Sequence, residues 1–338
     1  MTETQKMPRR SLGSTGLRVT ALGLGMAALG RPGYITLNHA ADLQGDYAVD
    51  AMQARSHTML EHAWRAGIRY FDAARSYGRA EEFLGSWLAS RTFDPADRPV
   101  VGSKWGYAYT ADWQVHAETH EVKDHTLPLL QKQWQESQCL LSDHLNLYQI
   151  HSATLESGVL KRTEVLTELA EIKARGTAIG LSLSGANQAE VLEVALTVTV
   201  DGKKLFDTVQ ATWNLLEPSC GAMLQVAHQA GLGIIVKEAV ANGRLTARNT
   251  EANFAPKMAQ LRAIAKRHAT TIDAIALAAV LAQPWADIVL SGATTLNQLH
   301  ANLGALPIKL TDSDRDTLHS LAESPQSYWS TRSGLAWN

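Results

Sequence analysis

From Thr58 onward, short runs of apolar residues alternate with longer segments in which apolar positions recur at helical spacing. Met59 to Ala66 has that spacing and stops at Gly67, a glycine suited to a helix C-terminal cap. Ile68–Phe71 then reads as a strand and Ala80–Ser90 as a helix. Further strands are expected over Val100–Ser103, Leu145–Ile150, Ala178–Leu181, Thr208–Gln210, Gly233–Val236 and Ile288–Leu290. Helices are expected over Val122–Leu141, Glu164–Arg175, from about Gln188, Met223–Ala230, Lys257–His268, Ile272–Leu281 and Leu296–Leu303. With Ala21–Gly25 the strands number eight, and helical segments follow them in turn. That alternation predicts an α/β fold, a parallel sheet closed as a (β/α)8 TIM barrel. Ahead of it, Ser11–Val19 predicts a β-hairpin, with Gly13 and Gly16 admitting the turn, and residues 1–10 read as a disordered start. Residues 30–57 break the rhythm with Gly, Pro, Asn, Asp and His, and read as an inserted loop with a short helical part. A tail is expected at about 325–338. No low-complexity linker divides the pattern, so residues 1–338 read as one barrel domain.

Bulk properties narrow the classes of partner. The 338 residues are 45% hydrophobic and 19% charged, enough to bury a large core. A net charge of −2 without a basic tract points away from nucleic acid and anionic membrane surfaces. No charged-then-apolar leader and no run of about 18 apolar residues is present. Cys139 and Cys220 lie far apart in segments that read as helical, which suits a reduced, cytoplasmic chain.

Chemistry in such barrels sits at the C-terminal ends of the strands. Asp72, Lys104 and His151 each end an apolar strand, and Tyr77 follows on the glycine-punctuated loop Ala73–Gly78. Taken singly, each has a structural reading: a cap, a packing ring, a solvated lysine, a core histidine. Four of them at one mouth form an acid–base set. A phenol has an ordinary pKa of about 10, too high to exchange its proton readily near neutrality. A lysine ammonium beside it favours the phenolate, an aspartate keeps that lysine charged, and a histidine orients a carbonyl oxygen. Trp105, Tyr107, Tyr109 and Trp113 after the lysine would line a substrate mouth or pack a loop, and Tyr328, Trp329 and Trp337 would cap the pocket or mediate association. His116, His120 and His125 have loose metal-ligand spacing but no accompanying hydrolase motif, and no metal is expected.

Gly67 to Ala74, Tyr77-Gly78 and Glu81 to Gly85 together resemble the signature of the aldo-keto reductases. Ser103-Lys104 and Leu147 to His151 resemble the segments carrying that family's lysine and histidine, and Leu290 to Thr294 with Gln298 and Asn302 resembles its C-terminal cofactor motif. The similarity runs from about Ser11 to Pro307 and is nearest to the bacterial branch akin to potassium-channel β-subunits. The resemblance implies a (β/α)8 barrel behind an N-terminal hairpin and NAD(P)H-dependent reduction of an aldehyde or ketone, or its reverse. Tyr77 would be the general acid, supported by Lys104 and Asp72, with His151 positioning the carbonyl. Ser182 and Gln210 match the positions that hold the nicotinamide amide, although Leu183 stands where Asn is common. Lys237 stands where an aromatic ring often stacks, and either pairs with Glu238 or lies along the cofactor or a substrate anion. Gly243 and Arg244 resemble the loop that crosses the pyrophosphate, with Arg244 available to phosphate. Gly292, Ala293 and Thr294 open a helix suited to an anion, and Gln298 and Asn302 would face the adenosine half. Gly292 and Gln298 occupy places where many relatives carry Lys and Arg. NADP is the expected cofactor, with NAD as the alternative. Two rival functions share the resemblance: an NAD-dependent sugar 1-dehydrogenase, and a nicotinamide-binding sensor or regulatory subunit with little turnover.

Overall fold

The computed structural model describes residues 7–338. Eight parallel strands close a barrel: β1 (Leu22–Gly25), β2 (Tyr70–Asp72), β3 (Val100–Trp105), β4 (Leu145–Ala153), β5 (Ala178–Leu183), β6 (Thr208–Thr212), β7 (Gly233–Lys237) and β8 (Ile288–Ser291). Each pairs with its sequence neighbour, and β8 returns to β1 through Val289 opposite Leu22. Nearly every strand residue is buried on both faces, which explains why the strands read as continuous apolar runs rather than alternating ones.

An antiparallel hairpin, Arg9–Ser11 with Arg18–Thr20, plugs the end of the barrel where the strands begin. Its Leu12 and Val19 pack with Tyr70, Val100, Leu147, Ile235, Ile288 and Leu290 inside the barrel. Gly13 makes this approach possible, because a Cβ there would meet Gly233 N at 2.2 Å. With that end sealed, the C-terminal ends of the strands form the open mouth.

The helices are α1 (His39–Leu43), α2 (Val49–Arg65), α3 (Ala80–Ala89), α4 (Leu127–Leu141), α5 (Thr163–Ala174), α6 (Gln188–Thr197), α7 (Gly221–Gln229), α8 (Ala255–Arg267), α9 (Ile272–Leu281), α10 (Leu296–Leu303), α11 (Asp312–His319) and α12 (Pro325–Ser333). Among the described residues, no helix is long and apolar enough to cross a membrane.

Three expectations change. The stretch 30–57 is not mainly loop, since α2 begins at Val49 and runs for 17 residues. Its buried face is Met52, Ser56, Met59, Leu60 and Ala63; a serine inside the stripe, bonded to Leu29 O, hid the helical period. The helix expected from Val122 begins instead at Leu127, with Pro128 in its first turn. Glu121–Lys123 is a strand paired antiparallel with Tyr107–Tyr109. Finally, Arg9 and Arg10 belong to the hairpin, while residues 1–6 of the expected disordered start lie outside the described residues.

The tail folds over the mouth. Arg332 of α12 donates two hydrogen bonds to Glu238 Oε1 at 2.6 and 2.9 Å, just beyond β7. Asn338 pairs through its backbone with Tyr34 and through its side chain with Thr36 and Ala40 of the insertion. Burial by itself would raise the Glu238 carboxyl, but Arg332 and Lys237 outweigh it and hold the group at about 2 instead of 4.5.

Two outcomes follow from this packing. Gly85 of α3 lies so close to α4 that a Cβ would meet Leu140 O at 2.0 Å. Gly85→Ala should therefore destabilise the fold by about 1–3 kcal/mol, despite the roughly 1 kcal/mol gain in helix propensity. A denaturation midpoint at or above wild type would contradict this contact. Because the Glu238 pKa is lower folded than unfolded, its stabilisation is complete above about 4.5 and fades as the pH falls toward 2. Acid titration of unfolding should show a decline over that window that Glu238→Gln lacks, by roughly 3 kcal/mol at most. Identical acid profiles would contradict the assignment.

Candidate active site

Asp72 closes β2, and Lys104 lies one residue from the end of β3. Their side chains form a fully buried ion pair, and Lys104 Nζ also donates to Ala73 O at 2.9 Å. The other Asp72 oxygen, Oδ1, accepts from Gln210 Nε2 at 2.9 Å and from the Tyr70 hydroxyl at 3.2 Å. A buried carboxylate is tolerated because both oxygens are bonded and a cation adjoins it.

Tyr77 stands on the loop between β2 and α3. Its hydroxyl is 3.4 Å from His151 Nε2, while His151 Nδ1 is 3.3 Å from Ser76 Oγ. Both ring nitrogens thus have a partner in either tautomer. The Lys104 ammonium sits 4.9 Å from the centre of the Tyr77 ring, and the Arg31 guanidinium 5.2 Å from it. The four residues expected to act together are therefore brought together.

Their protonation differs from the sequence-based expectation in one respect. Burial, reinforced by the charge of Asp72, pushes the Tyr77 phenol well above its ordinary value. Lys104 donates to Asp72 and Ala73 and faces the ring of Tyr77. Tyr77 is consequently a firmly protonated phenol. Burial, with Lys104 and Arg31 nearby, drives His151 well below its ordinary value, so its imidazole is neutral.

Tyr77 and His151 border a cavity of about 370 Å³ that extends past Gln210 and Lys237 to Asn242 and Gly292. Lys237 Nζ donates to Thr212 Oγ1 at 2.7 Å and lies 4.0 Å from Glu238 Oε1. Burial lowers its pKa to about 8, against the pull of Glu238 and with the repulsion of Arg332. Both readings of this lysine meet in one place, since it is paired and also faces the cavity.

The remaining expected cofactor residues divide. Ser182 Oγ accepts from the Ser152 backbone at 2.8 Å and does not border the cavity, whereas Ser152 and Ser184 do. Arg244 is paired with an anion of the chain: its guanidinium forks onto Glu323 at 2.7 and 3.0 Å and pins the segment before α12. Gly243 lies beneath Leu37 of the insertion, where a Cβ would meet the Leu37 Cβ at 3.0 Å. Ala293 is buried, and Asn302 Nδ2 donates to Ser291 Oγ at 2.8 Å, fixing the end of β8. Thr294 and Gln298 both donate to Asp42, a residue of the insertion.

Sequence reasoning missed the cavity's outer charges, Arg31, Glu121 and Arg332. Arg31 reaches Glu121 Oε2 at 3.0 Å and lies 4.8 Å from the centre of the Trp337 ring, which stacks on His120. Of the four aromatics after Lys104, Tyr107 meets His151 edge-on at 5.0 Å, and Trp105 is buried against His125. His125 donates to or accepts from neither His116 nor His120; its Nε2 lies 2.9 Å from His151 O. Among the described residues no group of three His, Cys, Asp or Glu is placed to hold a metal ion.

Two features of the cavity's far wall are open to a ligand. At Gly292 a Cβ would meet nothing within 4 Å, so the β8–α10 turn is open to close approach. Asn242 Oδ1 is buried in the wall without a partner.

Comparison with known proteins agrees with this geometry. The Aldo/keto reductase family profile matches residues 21–323. A pyridoxal 4-dehydrogenase of Microbacterium luteolum is 27% identical over 270 residues, covering 71% of this chain and 72% of its own. An NADH-specific methylglyoxal reductase of Escherichia coli is 25% identical, covering 94% of this chain and 99% of its own. The holo form of an aldo-keto reductase from Bacillus halodurans has the same fold, with a TM-score of 0.69 at 22% identity over 94% of this chain and 97% of its own. On the family match across most of its length, together with the closed barrel, the chain belongs to the aldo/keto reductase family of oxidoreductases.

Proposed function

We propose that the chain reduces a small polar aldehyde or ketone to its alcohol, or runs the reverse oxidation, using a nicotinamide dinucleotide. The observation that carries this reading is the protonated Tyr77 hydroxyl held 3.4 Å from a neutral His151 on the wall of one cavity, above the Lys104–Asp72 pair. When bound, the nicotinamide exchanges a hydride with the substrate carbon. Gln210 uses its Nε2 on Asp72, which leaves its carbonyl oxygen as an acceptor for the nicotinamide amide. Ser184, which borders the cavity, would serve the same amide, and the open backbone at Gly292 suits the pyrophosphate.

Tyr77 and His151 together receive the carbonyl oxygen. A neutral imidazole hydrogen-bonds that oxygen without competing for the proton, and the phenol surrenders its proton as negative charge builds there. A phenol pushed above its ordinary pKa releases nothing to water at neutral pH. It becomes an effective donor only to a developing alkoxide. The phenolate left behind faces two cations, Lys104 beneath its ring and Arg31 beside it. Asp72 and Ala73 O hold the Lys104 ammonium in place beside that ring. The charged outer wall, Arg31 with Glu121 and Arg332 with Glu238, favours a polar substrate. The two curated relatives named above carry pyridoxal and methylglyoxal in their names, both small polar carbonyls.

Replacing Tyr77 by Phe removes the proton and keeps the ring. Steady-state kinetics should show kcat lowered by about 10²–10⁴-fold, while fluorescence titration finds dinucleotide affinity unchanged. A variant that retains wild-type kcat would remove Tyr77 from the acid role.

A further inference from the structure

The insertion between β1 and β2 places a carboxylate against Thr294 and Gln298, just beyond the cavity wall at Gly292. Asp42 lies in α1, a five-residue helix whose flanking residues Asn38 and Gln44 both adopt left-handed backbone, at φ 60° and 55°. Its side chain is 7% exposed. Asp42 Oδ2 accepts from Thr294 Oγ1 at 3.0 Å, from Gln298 Nε2 at 2.9 Å and from Arg248 Nη1 at 2.7 Å. Arg248 Nη2 reaches the other oxygen, Oδ1. A hydroxyl, an amide and a guanidinium fork make a donor set suited to a phosphate. Here all of them already serve one anion that the chain itself supplies.

We propose that Asp42 stands in for the 2′-phosphate of the cofactor, so that this chain takes NAD(H) in preference to NADP(H). The inference rests on the reading above that the groove takes a nicotinamide dinucleotide with its pyrophosphate at the β8–α10 turn, which puts its adenosine end towards Gln298 of α10. At that turn, Gly292 and Gln298 bring no cation of their own. Among the described residues the cation that reaches the cluster is Arg248, which is held by Asp42, and its Nη1 also donates to Leu37 O at 3.2 Å. A 2′-phosphate arriving there meets a like charge on its own donors and has to displace it. A ribose 2′-hydroxyl meets an acceptor. Burial opposes ionisation of Asp42, but Arg248, Gln298 and Thr294 outweigh it, and the carboxylate is charged throughout the neutral range. The same carboxylate ties the insertion to α10, so cofactor choice and closure of the insertion depend on one group.

The test is dinucleotide binding by the full chain without carbonyl substrate, followed by fluorescence titration with NADH and with NADPH. The wild type should bind NADH at least about tenfold more tightly than NADPH. Asp42→Asn keeps the shape, removes the charge and frees Arg248, and should narrow or reverse that ratio. Equal or tighter binding of NADPH by the wild type overturns the proposal, whether or not the variant folds. So does a folded Asp42→Asn variant, checked by its thermal midpoint, that keeps the wild-type ratio. Failure of both dinucleotides to bind instead overturns the dinucleotide reading itself, and this inference with it.

Discussion

The mouth of this barrel is organised around one buried ion pair. Lys104 is fully buried, and an unpaired ammonium in that position would be costly enough to neutralise itself or unfold its surroundings. Asp72 makes it tolerable, and Asp72 is in turn held by Gln210, four strands away on the opposite side of the barrel, and by Tyr70 beneath. The pair therefore draws β2, β3 and β6 into one network. Removing one partner of such a pair typically costs about 3–5 kcal/mol, because the other charge is left stranded. Tyr77 and His151 sit directly above this network, so the floor that stabilises the mouth also fixes the electrostatic surroundings of the phenol.

The roof is built from parts of the chain remote from the floor. Glu238 follows β7 with a left-handed backbone, φ 58°, an uncommon conformation for a glutamate and a sign that its position matters. It accepts from Arg332 of α12, and Glu323, just before that helix, accepts from Arg244. The tail then meets the insertion through Asn338 and Tyr34. Insertion and tail thus close against each other over the cavity, with Asp42 holding the insertion to α10 on one side and Arg31 joining it to Trp337 on the other. A dinucleotide bound in the groove would be covered by both.

The floor could be read from the sequence and the roof could not, for a physical reason. Barrel strands are buried on both faces, so each appears as a short apolar run, and the polar residue that ends it marks the mouth. Asp72, Lys104 and His151 all have that local signature. The roof contacts have none. Arg332 with Glu238, Arg248 with Asp42 and Arg244 with Glu323 join charges far apart in sequence, and each residue alone looks like a solvated surface group. Arg244 illustrates the cost: beside a glycine in a loop it resembles a phosphate ligand, but its partner is a glutamate near the chain's end. The helix α2 was obscured by Ser56 within its buried stripe, and the hairpin at Glu121–Lys123 by the helical pattern that follows it. The protonation of Tyr77 also depends on the fold, since only the three-dimensional arrangement buries the phenol beside the Asp72 charge.

In the proposed reaction Tyr77 above this floor would give a proton, and a bound reduced nicotinamide a hydride, to one carbonyl group. The most direct measurement is consumption of reduced nicotinamide by the purified full chain against a panel of small polar aldehydes and ketones, with the alcohol product quantified. The account predicts saturable, carbonyl-dependent consumption that forms one alcohol per dinucleotide oxidised. Dinucleotide binding without turnover of any carbonyl, or of any alcohol in the reverse direction, would contradict it and leave a binding protein on a reductase fold.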